Sequence, residues 1–208
     1  TKIITLKLQK KDYKDIEKYI AELPTEEERV YYSAQYYAVK KDPKVVKEYE
    51  TLLQYDKYKA YASKGLGDYY FDKKDLSKAK KYYGTYATVN KNPDEYILYR
   101  LGQANEKENN LKMALTDYKA VYSKNGKLAN DAMLRAAEIY DKQENTVEAE
   151  KLFTKLYAVK NNKDLKAYSI EKLIYYKLVK NNTKEAKKLY DELKKLDAKR
   201  AEKFKAYF

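Results

Sequence analysis

The chain has 208 residues, is 44% hydrophobic, and carries a formal charge of +13 from 45 basic and 32 acidic side chains. With 0 Cys and 0 His it lacks a disulfide frame, a thiolate nucleophile and the commonest general base and zinc ligands, so catalysis finds no foothold. No stretch has the apolar length of a membrane span, and 5 Gly with 3 Pro leave no flexible linker between domains.

In chain order, Asp12 is placed to cap a helix that sets Ile16, Ile20 and Leu23 on one face. That helix reads as the second half of a unit whose first half is cut short at Thr1. Pro24-Thr25-Glu26-Glu27-Glu28 predicts the next helix start, with a capping box from Thr25 to Glu28, and the helix runs through Ala34 and Tyr37. Asp42-Pro43 predicts a cap followed by a first-turn proline, opening a helix through Val46 to Leu53. Tyr49 and Glu50 compete for its ring position.

From Leu66 onward a period is visible. Ala79, Ala114, Ala149 and Ala186 follow one another at 35, 35 and 37 residues, and each is followed four residues later by a ring: Tyr83, Tyr118, Phe153 and Tyr190. Twelve residues before the first three stand Gly67, Gly102 and Ala137. Small sites let two helices approach closely while the ring fills the space beside them. Asp75, Asn110, Asn145 and Asn182 precede each Ala and read as caps, so a second helix should begin near each. Asp197–Phe208 reads as an opening helix with no closing partner. Both ends look cut within a unit, and the absence of an initiator Met or signal sequence is what an excised piece of a longer chain would show.

This pattern resembles the tetratricopeptide repeat family. Leu66, Gly67, Tyr70, Ala79 and Tyr83 follow its unit, with Pro93 near the closing position. Leu101, Gly102, Ala114 and Tyr118 follow it again, with Asn105 where a ring is expected, as do Met133, Ala137, Tyr140, Ala149 and Phe153. The last unit departs where Ile174 replaces a small residue, and no tryptophan occurs. The resemblance implies an all-α, right-handed superhelical solenoid of antiparallel helix pairs over residues 1–208. Its units would be about 25–57, 58–93, 94–127, 128–163 and 164–196, with partial units at 1–24 and 197–208. Bacterial cell-envelope members are the nearest in character, which sets the envelope ahead of the cytoplasm as the expected compartment.

In that family the first helices line a concave groove that captures peptides or proteins. Carried over position by position, the resemblance implies a partner-binding face of Tyr61, Lys64, Asp68, Tyr96, Tyr99, Gln103, Leu134, Glu138, Tyr168 and Tyr175. Tyrosine suits such a face, since it offers contact area at low entropic cost, and the rings at 61, 96, 99, 168 and 175 should be at least half exposed. The family's carboxylate clamp pairs Lys with Asn; here Lys64 meets Asp68 and Leu134 meets Glu138, which would repel a carboxylate. The implied role is a non-catalytic scaffold for a protein or peptide, without cofactor, metal or membrane insertion, and with oligomers conceivable through the solenoid ends.

The charge supports a second reading, a lysine-rich surface for a polyanion such as nucleic acid or an acidic envelope polymer. Only Arg29, Arg100, Arg135 and Arg200 are arginines, whereas nucleic-acid readers favour arginine's planar fork. The lysines are also interleaved with acids along most helices, as on a solvated face.

Overall fold

The polar joints read from the sequence become helix boundaries in the computed structural model, which describes residues 1–208 and contains helices but no strand. The chain divides into two compact units, Thr1–Asn109 and Asn110–Phe208. The first holds α1 (Lys2–Gln9), α2 (Ile16–Ala21), α3 (Glu26–Lys40), α4 (Val45–Leu52), α5 (Asp56–Asp72), α6 (Leu76–Val89) and α7 (Glu95–Lys107). The second holds α8 (Leu111–Tyr122), α9 (Ala129–Lys142), α10 (Thr146–Tyr157), α11 (Lys163–Val179), α12 (Thr183–Leu196) and α13 (Ala198–Ala201), then a 3₁₀ turn over Glu202–Tyr207. Within each unit every helix packs on its sequence neighbours, the arrangement of stacked antiparallel pairs.

One turn closes each first helix. Lys11, Lys41, Lys74, Asn109, Glu144 and Asn181 all adopt left-handed backbone, with φ of 54 to 64°. The next residue is Asp or Asn every time. The N–H of Asp12, Asp42, Asp75, Asn145 and Asn182 donates at 2.8–2.9 Å to the carbonyl of Lys7, Tyr37, Tyr70, Tyr140 and Lys177 respectively. That six-to-one bond satisfies a carbonyl that the helix end would otherwise leave open. The side chains then act forward: Asp75, Asn145 and Asn182 accept from the N–H groups of Lys78, Glu148 and Glu185 at 3.1–3.3 Å and start the second helix.

The ends and the early joints differ from the sequence expectations. Asp12 does not cap; its Oδ1 accepts from Lys14 N–H at 3.1 Å inside a turn, and α2 starts at Ile16. The opening pair has its first half: α1 buries Ile4 and Leu8 against Ile16, Ile20, Leu23 and Tyr36. Asp42 likewise closes a turn on Lys44 N–H, so Pro43 precedes α4 rather than sitting in its first turn. Thr25 caps Glu28 N–H at 3.2 Å, but Glu28 reaches the Thr25 hydroxyl instead of its N–H, which makes half a capping box. After Ala201 the last helix tightens to 3₁₀ as Phe204 turns inward.

The repeated small-and-ring positions form the cores. Ala79, Ala114, Ala149 and Ala186 are fully buried, as are Tyr83, Tyr118 and Phe153, and Tyr190 nearly so. Gly67 matters because the Tyr83 ring lies on its backbone, where a Cβ would sit within the ring's van der Waals envelope. Tyr49, not Glu50, takes the contested ring site and covers Gly65 in the same way. No helix is long and apolar enough to cross a membrane.

Candidate functional site

In the first unit, Lys64 and Asp68 stand one turn apart on α5, so their side chains emerge on one face. Asp68 Oδ1 accepts hydrogen bonds from the Tyr83 hydroxyl at 2.7 Å and from the Tyr96 hydroxyl at 3.2 Å. Arg100 Nε donates to the Tyr96 oxygen at 3.0 Å, and Lys64 Nζ lies 5.1 Å above the Tyr96 ring. Burial, then the bond to Asp68, pushes the Tyr83 phenol far above its ordinary value. Burial likewise raises Tyr96, so both phenols stay neutral donors. Tyr61 is not part of this group. Its ring meets Tyr31 and Tyr49 edge-on at 5.2 and 5.6 Å.

In the second unit, Glu138 on α9 accepts from Arg135 at 2.9 Å and, at 3.4 Å, from the Tyr168 hydroxyl on α11. Phe153 meets the Tyr168 ring edge-on, with the Arg200 guanidinium 5.6 Å from its centre. One turn beyond Glu138, Asp141 holds Lys172 at 2.6 Å and takes the Tyr176 hydroxyl. Glu171 in turn holds Arg200 at 2.9 Å and Lys203 at 2.6 Å. Burial pushes the Glu171 carboxyl up, but the bonds from Lys203 and Arg200 outweigh it and hold the group below its ordinary value.

These bonds explain why most of the expected rings are not available. Tyr61, Tyr96, Tyr99 and Tyr168 are partly buried, as are Gln103 on α7 and Leu134 on α9. Only Tyr175 stands more than half exposed, at 55%. The expectation of five open rings is corrected to one, because tyrosines on first helices also reach the pair before them. Arg100 and Lys172, which join Asp141 and Glu171 in the same stitching, were missed. Their signal is a polar partner about one repeat away: Asp68 to Tyr96 is 28 residues, Glu138 to Tyr168 is 30 and Asp141 to Lys172 is 31.

Tyr175 borders a cleft of about 670 Å³ lined also by Asp141, Lys142, Glu144, Thr146, Glu171, Lys172 and Phe204. The cleft lies where the joint between α9 and α10 meets α11. The first unit has its counterpart, about 410 Å³, where the joint between α3 and α4 meets α5, lined by Lys41, Tyr49, Gly65, Asp68, Tyr69, Asp72 and Lys73 among others. Each cleft mixes both signs of charge with an aromatic wall, a surface that can hold a polar chain carrying an occasional apolar group.

No family model and no curated protein matches the chain in sequence. Solved structures do match in shape. The crystal structure of MamA superposes with a TM-score of 0.62 at 18% identity over 81% of this chain and 96% of that one. A further MamA structure gives 0.60 at 17%, covering 81% and 90%. Pseudomonas aeruginosa pilF aligns over all of this chain and 95% of its own, with a TM-score of 0.59 at 16% identity. The chain has the tetratricopeptide-type fold. Within that fold the two clefts occupy equivalent places, each beside a first helix, and Tyr175, whose ring meets that of Tyr176 edge-on, is the most exposed of the expected rings.

Proposed function

We propose that the chain is a non-catalytic interaction scaffold that takes a peptide or protein segment along its first-helix face. The whole chain is read as one array of helix pairs. The ten positions from Tyr61 to Tyr175 mark the face, and the Tyr175 cleft is its anchor point. The observation that carries this reading is the open Tyr175 ring over a cleft in which Asp141, Glu171 and Lys172 are already fixed. Asp141 and Glu171 are held by Lys172, Arg200 and Lys203, so a ligand would meet ordered groups and lose little side-chain entropy there. Tyrosine is among the side chains enriched at binding hot spots.

Panning a random peptide display library on the chain tests it. Enriched peptides should lose about tenfold or more in affinity against Tyr175→Ala, with the helical circular dichroism unchanged. A library that yields no enriched sequence, or peptides that bind Tyr175→Ala equally well, would refute the reading.

A further inference from the structure

A second cleft, of about 780 Å³, lies at the corner where α10 passes to α11 and the end of α12 comes alongside, and it shares no residue with the Tyr175 cleft. Its apolar part is made by Tyr157, Val159 and Leu196, and its charged part by Lys160, Lys163 and Lys166. No acidic side chain lines it. Lys166 is engaged by Glu192 at 2.8 Å, and Glu192 also accepts from the Tyr157 hydroxyl at 2.8 Å, which holds the ring in place. Lys160 and Lys163 are exposed and make no ion pair; Asp164, next along the chain, is exposed and stands outside the lining.

Elsewhere on this unit Lys172, Lys177, Lys180 and Lys203 each hold a carboxylate, whereas Lys160 and Lys163 hold none. Two uncompensated ammonium groups over an apolar hollow complement a ligand that is anionic and apolar within a short distance. The apolar contact separates ligand classes. A phosphate polymer would satisfy the ammonium groups but leave Val159, Leu196 and the Tyr157 ring wet. A peptide can satisfy both, because its acidic and apolar side chains alternate over a few ångströms of backbone.

We propose that this cleft docks an acidic peptide segment, with one apolar side chain against Tyr157, Val159 and Leu196 and flanking carboxylates at Lys160 and Lys163. The site is separate from the first-helix face and does not depend on it.

The test is fluorescence anisotropy with a labelled peptide in which a central Phe is flanked on both sides by Glu and Asp. Two sister peptides carry Gln and Asn in place of the acids, or Ser in place of Phe, and inorganic polyphosphate serves as an anion without an apolar group. Because Lys160 and Lys163 are exposed, the double variant Lys160→Gln/Lys163→Gln should fold as the parent does. The parent should bind the acidic peptide, and the double variant should lose about tenfold or more. Both sister peptides should bind correspondingly less, and Tyr175→Ala should bind as the parent. Binding that survives the double lysine change overturns the proposal. So does an unchanged affinity for the Ser peptide alongside tight polyphosphate binding, which would mark a polyanion surface. A loss confined to Tyr175→Ala would move the ligand to the first-helix cleft and overturn it too.

Discussion

Thr1–Asn109 and Asn110–Phe208 use one helical frame but differ in the balance of chemistry that holds their helices together. The first unit carries 17 of the 26 tyrosines and sets ring on ring. Tyr31 stacks on Tyr58 at 4.5 Å, Tyr70 stacks on Tyr82, and Tyr61 wedges between Tyr31 and Tyr49. The second unit relies on carboxylates that each gather two or more donors: Asp141, Glu150, Glu171 and Glu192. Rings adhere by excluding water and bring little charge dependence, whereas carboxylate hubs depend on pH and salt. The same fold therefore tolerates two kinds of adhesion between neighbours, and the units should fail under different conditions.

If the frame is common, its ring position should matter equally in both units. Tyr83→Ala and Phe153→Ala remove fully buried rings at corresponding sites, and each should cost about 3–5 kcal/mol. Tyr83→Phe, which removes only the bond to Asp68, should cost about 1 kcal/mol. Denaturant unfolding with hydrogen exchange resolved by segment measures both. A mild Phe153→Ala beside a severe Tyr83→Ala would show that the frame is not shared.

Overpacking the small sites is the next largest effect. Gly67→Ala puts a methyl into the Tyr83 ring, and Ala114→Leu fills a helix crossing with no free space, so each should cost roughly 1–3 kcal/mol. An unchanged melting temperature for Ala114→Leu would mean that the crossing is looser than its full burial indicates.

These two predictions rest on positions that were legible in the sequence, and the reason is physical. A small residue at a helix crossing and the ring beside it answer a constraint that recurs every 35 residues or so, and recurrence is visible. The opening pair reads as lacking its first half because α1 is too short to show the ring pattern, although Lys11-Asp12 has the same turn chemistry as Lys41-Asp42 and Lys74-Asp75. At the candidate site, the sequence placed Lys64, Asp68 and Tyr96 on facing first helices and the structure brings them together. It could not show that Tyr96 and Tyr168 would turn their hydroxyls to the preceding pair while Tyr175 would not. That depends on side-chain reach between helices, which a one-dimensional period does not contain.

pH should separate the units. Hydrogen bonds from lysine or arginine hold Glu150, Glu171 and Glu192 below the ordinary carboxyl value in spite of opposing burial. A lowered folded value gives stability that is present above the ordinary value of 4.5 and is lost as pH falls through the folded one. These carboxyls are part-buried but still reach solvent, so each contributes about 1 kcal/mol after screening. In the first unit, burial raises the phenols of Tyr49, Tyr61 and Tyr83. That stability is complete below their ordinary value of 10 and declines as pH rises past it. Acid or molar salt should thus loosen α9–α12 first, seen by segment-resolved hydrogen exchange. Alkali should act more strongly on α3–α6, where Tyr61 and Tyr83 are both raised far, against Tyr176 in the second unit, and the effect is seen as tyrosinate absorbance appearing with unfolding. Simultaneous loss of both units in acid would refute the division.

The smallest expected effect tests what the units share. Lys74 and Glu144 sit at the same turn in the two units with φ of 64 and 58°, a backbone region in which a Cβ crowds the following carbonyl. Glycine avoids that crowding, but it also gives the unfolded chain more freedom to lose, so the gain is partly offset. Lys74→Gly and Glu144→Gly should each stabilise the chain by about 0.5 kcal/mol, a rise of a degree or two in melting temperature. Both side chains are exposed, and the six-to-one bonds from Asp75 and Asn145 N–H do not involve them. The two increments should therefore match. If Lys74→Gly stabilises while Glu144→Gly destabilises, the Glu144 side chain must contribute to the second unit, and its place in the wall of the Tyr175 cleft becomes the reason to look there.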